Sequence, residues 1–434
     1  MTKSSVVPID ANYAPLVRLL EGVALIKNSE WLFDLGRMEM VSPRAVKLRD
    51  GDLAFKHWSH SPHRIEVFEE EIGFDPTGSD PVIRINTFTG LAMQPKAGDC
   101  VPILDLLKHL CNEDDEAFVW VLRWLALPLQ QPGTKMRTAL VFHGPQGSGK
   151  NLFFEILARM YGRYAKVVGQ DQLEDKFNDW ASQLLFAIGD EVVARAELYH
   201  QKNKLKAFIT GTTIQINAKM KPLRTEKNHV NVVFLSNEIQ PIALEQGDRR
   251  YCVVWTPEAR EKEFYQRVGK CLDDGGHEAF LDYLLDLPLG DFHEFTPPPA
   301  SAAKRELIEL GLKPAERFLR EWVGGLISLP LRPCTTEQAF TAFKRWCSLN
   351  GVRWTGEKIS FTTSVVRAPG KQIEAVNSHR VLPTGGRQPI RCLVPRGCAK
   401  PDQCESYQQW MTDCEQAFEA DLARFTETTR EVNP

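Results

Sequence analysis

Four short, nearly uninterrupted apolar runs stand out along the chain, at residues 138–142, 184–188, 230–235 and 252–255. Runs of this length with no polar alternation predict strands buried on both faces. Stretches with helical spacing lie between them, which predicts an α/β sheet with its ligand at the strand ends. Upstream, residues 101–110 and 116–127 carry apolar residues three and four apart and are expected to be amphipathic helices. Pro128 is expected to stop the second helix, and Gln131-Pro132-Gly133 to close the segment. Nearer the N-terminus the pattern is shorter. Residues 31–36 and 38–41 predict a hairpin, and Asp50-Gly51-Asp52 and Asp75-Pro76-Thr77-Gly78 predict turns.

Downstream, residues 297–303 begin with three prolines and predict a stiff linker. Residues 307–323 predict helix interrupted at Pro314, and residues 336–349 an amphipathic helix with Phe340, Phe343 and Cys347 on one face. After the turn Asn350-Gly351, residues 360–366 predict a further helix. Residues 376–381 and 390–394, joined through Pro383-Thr384-Gly385-Gly386, predict a hairpin. These changes suggest five segments: an accessory domain (1–100), a helical collar (101–136), an α/β core (137–296), a basic domain (304–400) and an acidic helical tail (401–434).

Charge sharpens the picture of the fourth segment. The 434 residues carry a net charge of −3, so any nucleic-acid binding must come from local charge. Between Arg332 and Lys400, twelve basic residues face three acidic ones, a local balance of +9. The ten cysteines contain no CxxC pair and suggest free thiols of a reduced cytosol. No basic start followed by an apolar core opens the sequence, and no apolar run approaches the length of a membrane span, so a cytoplasmic location without a membrane partner is expected.

The candidate chemistry is organised around Gly144-Pro145-Gln146-Gly147-Ser148-Gly149-Lys150-Asn151. An apolar strand precedes this stretch and a helical pattern follows it, which is the context a phosphate-binding P-loop requires. Glycines let backbone N–H groups converge on an anion, the helix N-terminus adds partial positive charge, and Lys150 supplies a point charge for the terminal phosphates. Asn151 stands where a serine or threonine hydroxyl more often meets Mg²⁺, and its amide oxygen can substitute.

About 40 residues past Lys150, an apolar run ends in Asp190-Glu191. These acids are expected to serve the Mg²⁺ shell and the attacking water, respectively. A later apolar run ends in Ser236-Asn237, where Asn237 can orient water near a terminal phosphate. Gly247-Asp248-Arg249-Arg250-Tyr251 follows, and either arginine suits a transition-state charge. Residues 214–217 alternate apolar and polar and lead to Lys219 and Lys221, a hairpin tip suited to a phosphate backbone.

The order of these motifs resembles the superfamily 3 helicases, and most closely the NTPase half of phage and plasmid primase-helicase proteins of the virulence-associated E/D5-like type. The resemblance covers residues 80–260. Trp124-Leu125-Ala126, Gln131-Pro132-Gly133, the glycine-rich loop, residues 214–219, Phe234-Leu235-Ser236-Asn237 and residues 247–251 carry it. It implies an AAA+-like P-loop NTPase core in an α/β fold, preceded by an accessory and collar region. It also implies ATP hydrolysis with Mg²⁺ at the interfaces of a homo-oligomeric ring, usually a hexamer, and 3′-to-5′ movement on single-stranded and forked DNA in a bacterial host cell.

Carried over by position, Lys150 and its loop bind phosphate, Asp190 and Asn151 serve the metal, Glu191 the water, and Asn237 senses the γ-phosphate. Arg249 or Arg250 acts in trans, and Lys219 with Lys221 tracks DNA. No archaeo-eukaryotic primase motif lies upstream, so a separate primase or initiator is an expected partner. The basic domain, helices followed by a hairpin, resembles a DNA-binding winged helix. Alternatives are an ATPase that loads or remodels replication proteins without unwinding, a small-molecule kinase, and an origin-binding protein with a silent P-loop.

Overall fold

The computed structural model describes residues 13–191, 201–219, 223–242, 244, 247–353, 356–368, 370–381, 384, 386–404 and 406–425. The chain divides into two compact units, Met1–Pro241 with Arg249–Ser301, and Ile242–Asp248 with Ala302–Pro434. The second boundary falls inside the proline-led linker anticipated from composition.

The first unit begins with a small α/β module. The strands Leu32–Asp34 and Glu39–Val41 form the anticipated hairpin, with Leu32 opposite Val41. They extend a sheet through Val23–Ile26, which also pairs in parallel with Ile65–Val67. The helices Ala14–Gly22, Pro43–Asp50 and Asp52–His60 bury Leu19, Val46, Ala54 and Trp58 with Val23 and Leu32. Asp50 is more than a turn residue: its buried carboxylate receives Arg49 Nε at 2.7 Å and Arg18 Nε at 3.1 Å. Arg49 also donates to the buried Asp34.

The centre of the first unit is a five-stranded, wholly parallel sheet built from β1 (Ala139–His143), β2 (Ala165–Gly169), β3 (Phe186–Asp190), β4 (Asn231–Ser236) and β5 (Tyr251–Trp255). Their order across the sheet is β5-β1-β4-β3-β2. Four of these strands follow from the apolar runs. The run at 184–188 is displaced, because Gly189 and Asp190 complete the ladder while Leu184 and Leu185 remain buried just before it. β2 gave no such signal: it is an edge strand whose Lys166 and Val167 face solvent.

The collar helices Val101–Leu110 and Asp115–Gln130 pack into the same core as Phe142, Phe153, Phe154, Phe186 and Phe280. Pro128 does not end its helix, which continues to Gln130. The lost N–H falls in the last turn, and Leu127, Pro128 and Leu129 are all buried, so packing outweighs one missing hydrogen bond. Polar contacts fix the collar to the sheet. Trp124 Nε1 donates to Thr138 Oγ1 at 3.0 Å, and Asn231 ties Met136 N (2.8 Å) and Thr134 O (2.9 Å) to the base of β4.

In the second unit the helices Pro314–Val323, Thr336–Leu349 and Lys358–Arg367 surround an aromatic core of Phe318, Trp322, Phe343, Trp346, Phe361 and Phe418. Helix Ala302–Leu310 ends before Pro314, as its sequence predicts. The strands Ile373–Val381 and Arg387–Pro395 form a long antiparallel hairpin, and the second also pairs with Cys334–Thr335. Among the described residues the acidic tail is a helix with one buried and one solvated side. Helix Tyr407–Arg424 buries Trp410, Met411, Phe418 and Leu422, and its Glu415 pairs with Arg380 of the hairpin. Two of its acids face inward, Glu415 buried against Arg380 and Asp421 paired with Arg332 at 3.0 Å, while Asp413 and Glu419 are exposed.

Candidate functional site

The site forms at the C-terminal ends of β1, β4 and β3. β1 passes directly into the glycine-rich loop, whose Gly144, Gly147 and Gly149 have φ of 142°, 84° and 96°. Side chains rarely tolerate that region, so the loop's path depends on glycine. A Cβ on Gly144 would also lie 2.3 Å from Thr256 O, because the chain leaving β5 runs against the loop. Helix Lys150–Tyr161 starts immediately after it, with its free N–H groups toward the loop.

Lys150 is buried at the mouth of that helix, with its Nζ 3.0 Å from Gly144 O, 2.8 Å from Pro145 O and 3.4 Å from Ser148 Oγ. Burial lowers its pKa from the ordinary lysine value, and the nearby Asp190 charge partly opposes that shift. A lysine held on backbone carbonyls can exchange them for anionic oxygens.

β3 delivers the acids beside this loop. Asp190 Oδ2 accepts from Asn151 Nδ2 at 3.1 Å, and its Oδ1 accepts the Glu191 N–H at 3.1 Å. Glu191 sits at φ 53°, a left-handed turn that brings the chain off the strand at once and leaves its side chain exposed. β4 lies between β1 and β3. Its last residue, Ser236, pairs with His143 and accepts the Gly144 N–H at 3.2 Å, so Asn237 emerges between loop and acids.

Sequence reasoning missed His143, the last residue of β1. Its Nδ1 lies 3.3 Å from Glu238 O, and its ring meets Trp255 edge-on at 5.0 Å. It thereby holds the turn after Asn237. Burial depresses its pKa, the Glu238 carbonyl opposes the shift and the Lys150 charge adds to it. A histidine at the end of an apolar strand carries no motif of its own, so only contact reveals it.

The two arginines are not part of this cluster. Arg249 and Arg250 precede β5, and Arg250 O accepts the N–H of Ala139 at the start of β1. They therefore lie at the opposite edge of the sheet from Lys150. Arg249 is exposed, whereas Arg250 is half-buried.

The lysine-bearing hairpin also grows from that opposite edge. Its arms Thr213–Ile216 and Arg224–Lys227 pair antiparallel, with Ile216 buried and Lys219 exposed in the following turn. Lys221 lies outside the described residues. A loop before β3 anchors both arms. Asn178 Oδ1 accepts the Asn217 N–H at 2.8 Å, Asn178 Nδ2 donates to Gln215 O at 2.8 Å, and Ser182 Oγ donates to Glu226 Oε1 at 2.8 Å.

In the second unit, the helix Lys358–Arg367 presents a cavity of about 410 Å³ lined by Thr336, Lys358, Ile359, Thr362, Thr363, Val366, Arg367 and Arg391. Lys358 is paired with Glu337, which leaves Arg367 and Arg391 as the cations best suited to a phosphate.

Residues 142–250 match a family of unknown function (DUF5906). The chain is 30% identical over 221 residues to a DNA primase-polymerase of Nitratiruptor phage NrS-1; the match covers 48% of this chain and 29% of that protein. Thus the chain spans less than a third of that relative's length. The fold is similar to the apo structure of the NrS-1 C-terminal region, with a TM-score of 0.62 and 18% identity over 89% of this chain and 100% of that one. The A form apo structure of the same region gives 0.64 at 18% identity, covering 88% and 99%. The mixed α/β fold of this chain, with its parallel sheet, is thus similar to that of the NrS-1 C-terminal region. Among the described residues, no helix is long and apolar enough to cross a membrane.

Proposed function

We propose that this chain is a phage-type DNA replication protein that works as an ATP-dependent helicase, with an AAA+-like P-loop NTPase core of the superfamily 3 type. The observation that carries this reading is the convergence of Lys150, Asn151, Asp190, Glu191 and Asn237 at one end of three adjacent parallel strands. The likeness to a phage primase-polymerase supports the replication role.

The donor set fits a hard divalent cation: the Asp190 carboxylate and the Asn151 amide oxygen would hold Mg²⁺, which supplies neutralising charge to the phosphates. The loop N–H groups and Lys150 bind and orient the triphosphate. Glu191, exposed beyond the strand end, takes a proton from the attacking water, and Asn237 orients that water. Arg249 is the better candidate of the pair for the trans role. Five strand residues, roughly 16 Å at the usual rise, separate it from its own loop, and its side chain is exposed. That arrangement calls for a ring of copies, for which the family resemblance suggests six.

The hairpin with Lys219, and with Lys221 by sequence, is the DNA grip. Its anchoring by Asn178 and Ser182 makes the loop and hairpin one mechanical piece. The second unit, three helices followed by a hairpin that also pairs with a short strand between the first two, has the element order of a winged helix. Its basic cavity supports contact with duplex DNA.

The test is strand separation on a forked duplex with ATP and Mg²⁺. Wild-type protein should unwind it, Lys150→Ala should neither hydrolyse nor unwind, and Lys219→Ala with Lys221→Ala should hydrolyse without unwinding. DNA-stimulated hydrolysis with no unwinding by wild type would favour a loader or remodeller. Absence of hydrolysis would overturn the motor altogether.

A further inference from the structure

The nucleotide has a direction across this sheet. β1 carries the phosphate loop, and β4 and β3, with Asn237 and Asp190, lie on one side of it. The terminal phosphate must point that way, because those are the groups that serve water and metal. The nucleoside end must then leave toward the other side, where β5 lies.

The chain beyond β5 follows the loop closely. Thr256 N donates to His143 O at 2.7 Å, and Thr256 Oγ1 also donates to it at 3.2 Å. A Cβ built on Gly147 would lie 3.8 Å from Ala259 Cβ. One on Gly149 would lie 3.1 Å from a ring carbon of Tyr265 and 2.9 Å from Leu106. The segment from Thr256 to Tyr265 thus flanks three glycines of the loop. Its far end is firmly held. The Tyr265 hydroxyl accepts the Arg260 N–H at 3.1 Å, and its ring stands perpendicular to the buried Phe264 at 5.2 Å. Phe264 in turn lies under the exposed Arg260 guanidinium, 5.4 Å from its ring centre, and packs edge-on against His109 of the collar at 5.7 Å.

We infer that the segment Thr256 to Tyr265 is the wall against which the ribose and base of a nucleoside triphosphate rest, with the Tyr265 ring as the chief base contact. The inference builds on the nucleotide-hydrolase reading above and adds the residue that distinguishes a nucleotide from a bare polyphosphate. A partly buried aromatic ring, held at its hydroxyl and packed perpendicular to Phe264, offers stacking area with little ordering cost. Stacking of this kind tolerates any base, so discrimination among the four nucleotides should be shallow.

Calorimetric titration of the full chain with ATP and, separately, inorganic tripolyphosphate, both with Mg²⁺, tests it. Tyr265→Ala should weaken ATP about tenfold, the loss expected for one aromatic stack, and leave tripolyphosphate unchanged. Tyr265→Leu, which preserves apolar volume against Gly149, should lose ATP to the same extent, and Tyr265→Phe should bind as wild type. Equal weakening of both ligands, or no change in either, would overturn the base contact. If wild type binds neither ligand, the P-loop reading itself falls; binding of tripolyphosphate alone would leave that reading intact and remove the base wall.

Discussion

The amide of Asn151 donates to Asp190 Oδ2 across 3.1 Å, so the second residue of the loop helix and the last residue of β3 are joined directly. The amide nitrogen is committed to the carboxylate, and the oxygen is what remains for a metal. A hydroxyl at this position can donate its proton to the same carboxylate and ligate a metal ion through its oxygen. Asn151→Ser should therefore keep hydrolysis near wild type, whereas Asn151→Ala should raise the Mg²⁺ concentration for half-maximal rate about tenfold, the scale for loss of one supporting metal contact. ATPase rate against Mg²⁺ concentration measures this, and an unchanged curve for Asn151→Ala would remove the residue from the metal site.

Arg249 and Lys150 occupy opposite ends of the parallel sheet, so trans action makes a mixing prediction. Arg249→Ala and Lys150→Ala should each abolish hydrolysis alone. Mixed subunits should recover part of it, because some interfaces then combine an intact loop with an intact arginine. Arg249→Ala should still bind ATP. A mixture as inactive as its components would argue against a shared site.

Arg49 is the common partner of two buried carboxylates, Asp34 and Asp50. Arg49 and the Arg37 and Gly36 backbone N–H groups hold the Asp34 pKa below the usual carboxylate value against the opposing effect of burial. Arg49→Met should destabilise the N-terminal module by about 1 kcal/mol, because Arg49 is partly exposed, Asp50 keeps Arg18 and Asp34 keeps two backbone N–H groups. Native-state amide hydrogen exchange of the helices that bury Trp58 reads it, since the ten tryptophans of the chain share one fluorescence signal.

His109, His143 and His229 are all buried, and burial lowers each pKa from its ordinary value of 6.5. The unfolded chain therefore takes up protons before the folded one does. Stability should be full above pH 6.5 and decline as pH falls below it, ahead of the loss expected near pH 4 from depressed carboxylates such as Asp34. Thermal midpoints between pH 7.5 and 5 measure the slope, and His143→Asn should flatten part of it. A flat profile for wild type would mean these rings protonate in the fold at no cost.

Local pattern made much of this protein legible. The glycine-rich loop between strand and helix was readable because strand, glycines and helix start are contiguous in the chain. The interior strands were readable because burial on both faces demands an apolar run. Edge strand β2 was not, since solvent on one side permits Lys166 and an exposed Val167. Pro128 misled because its cost depends on where in the helix it falls and on what the neighbouring residues pack against.

Sequence alone determined the residue types and their order: the glycine loop, the acids ending one strand, the asparagine ending another, and the basic balance after the linker. Tertiary structure decided which of them meet. Parallel pairing brings the ends of β1, β4 and β3 to one edge, so residues nearly ninety positions apart become neighbours. The same pairing carries Arg249, close in sequence to Asn237, to the far edge. It also gave His143 and Tyr265 their places, through contacts that no spacing records. Separation along the chain sets a limit on distance, but direction is fixed only when strands pair and side chains fill the space between them.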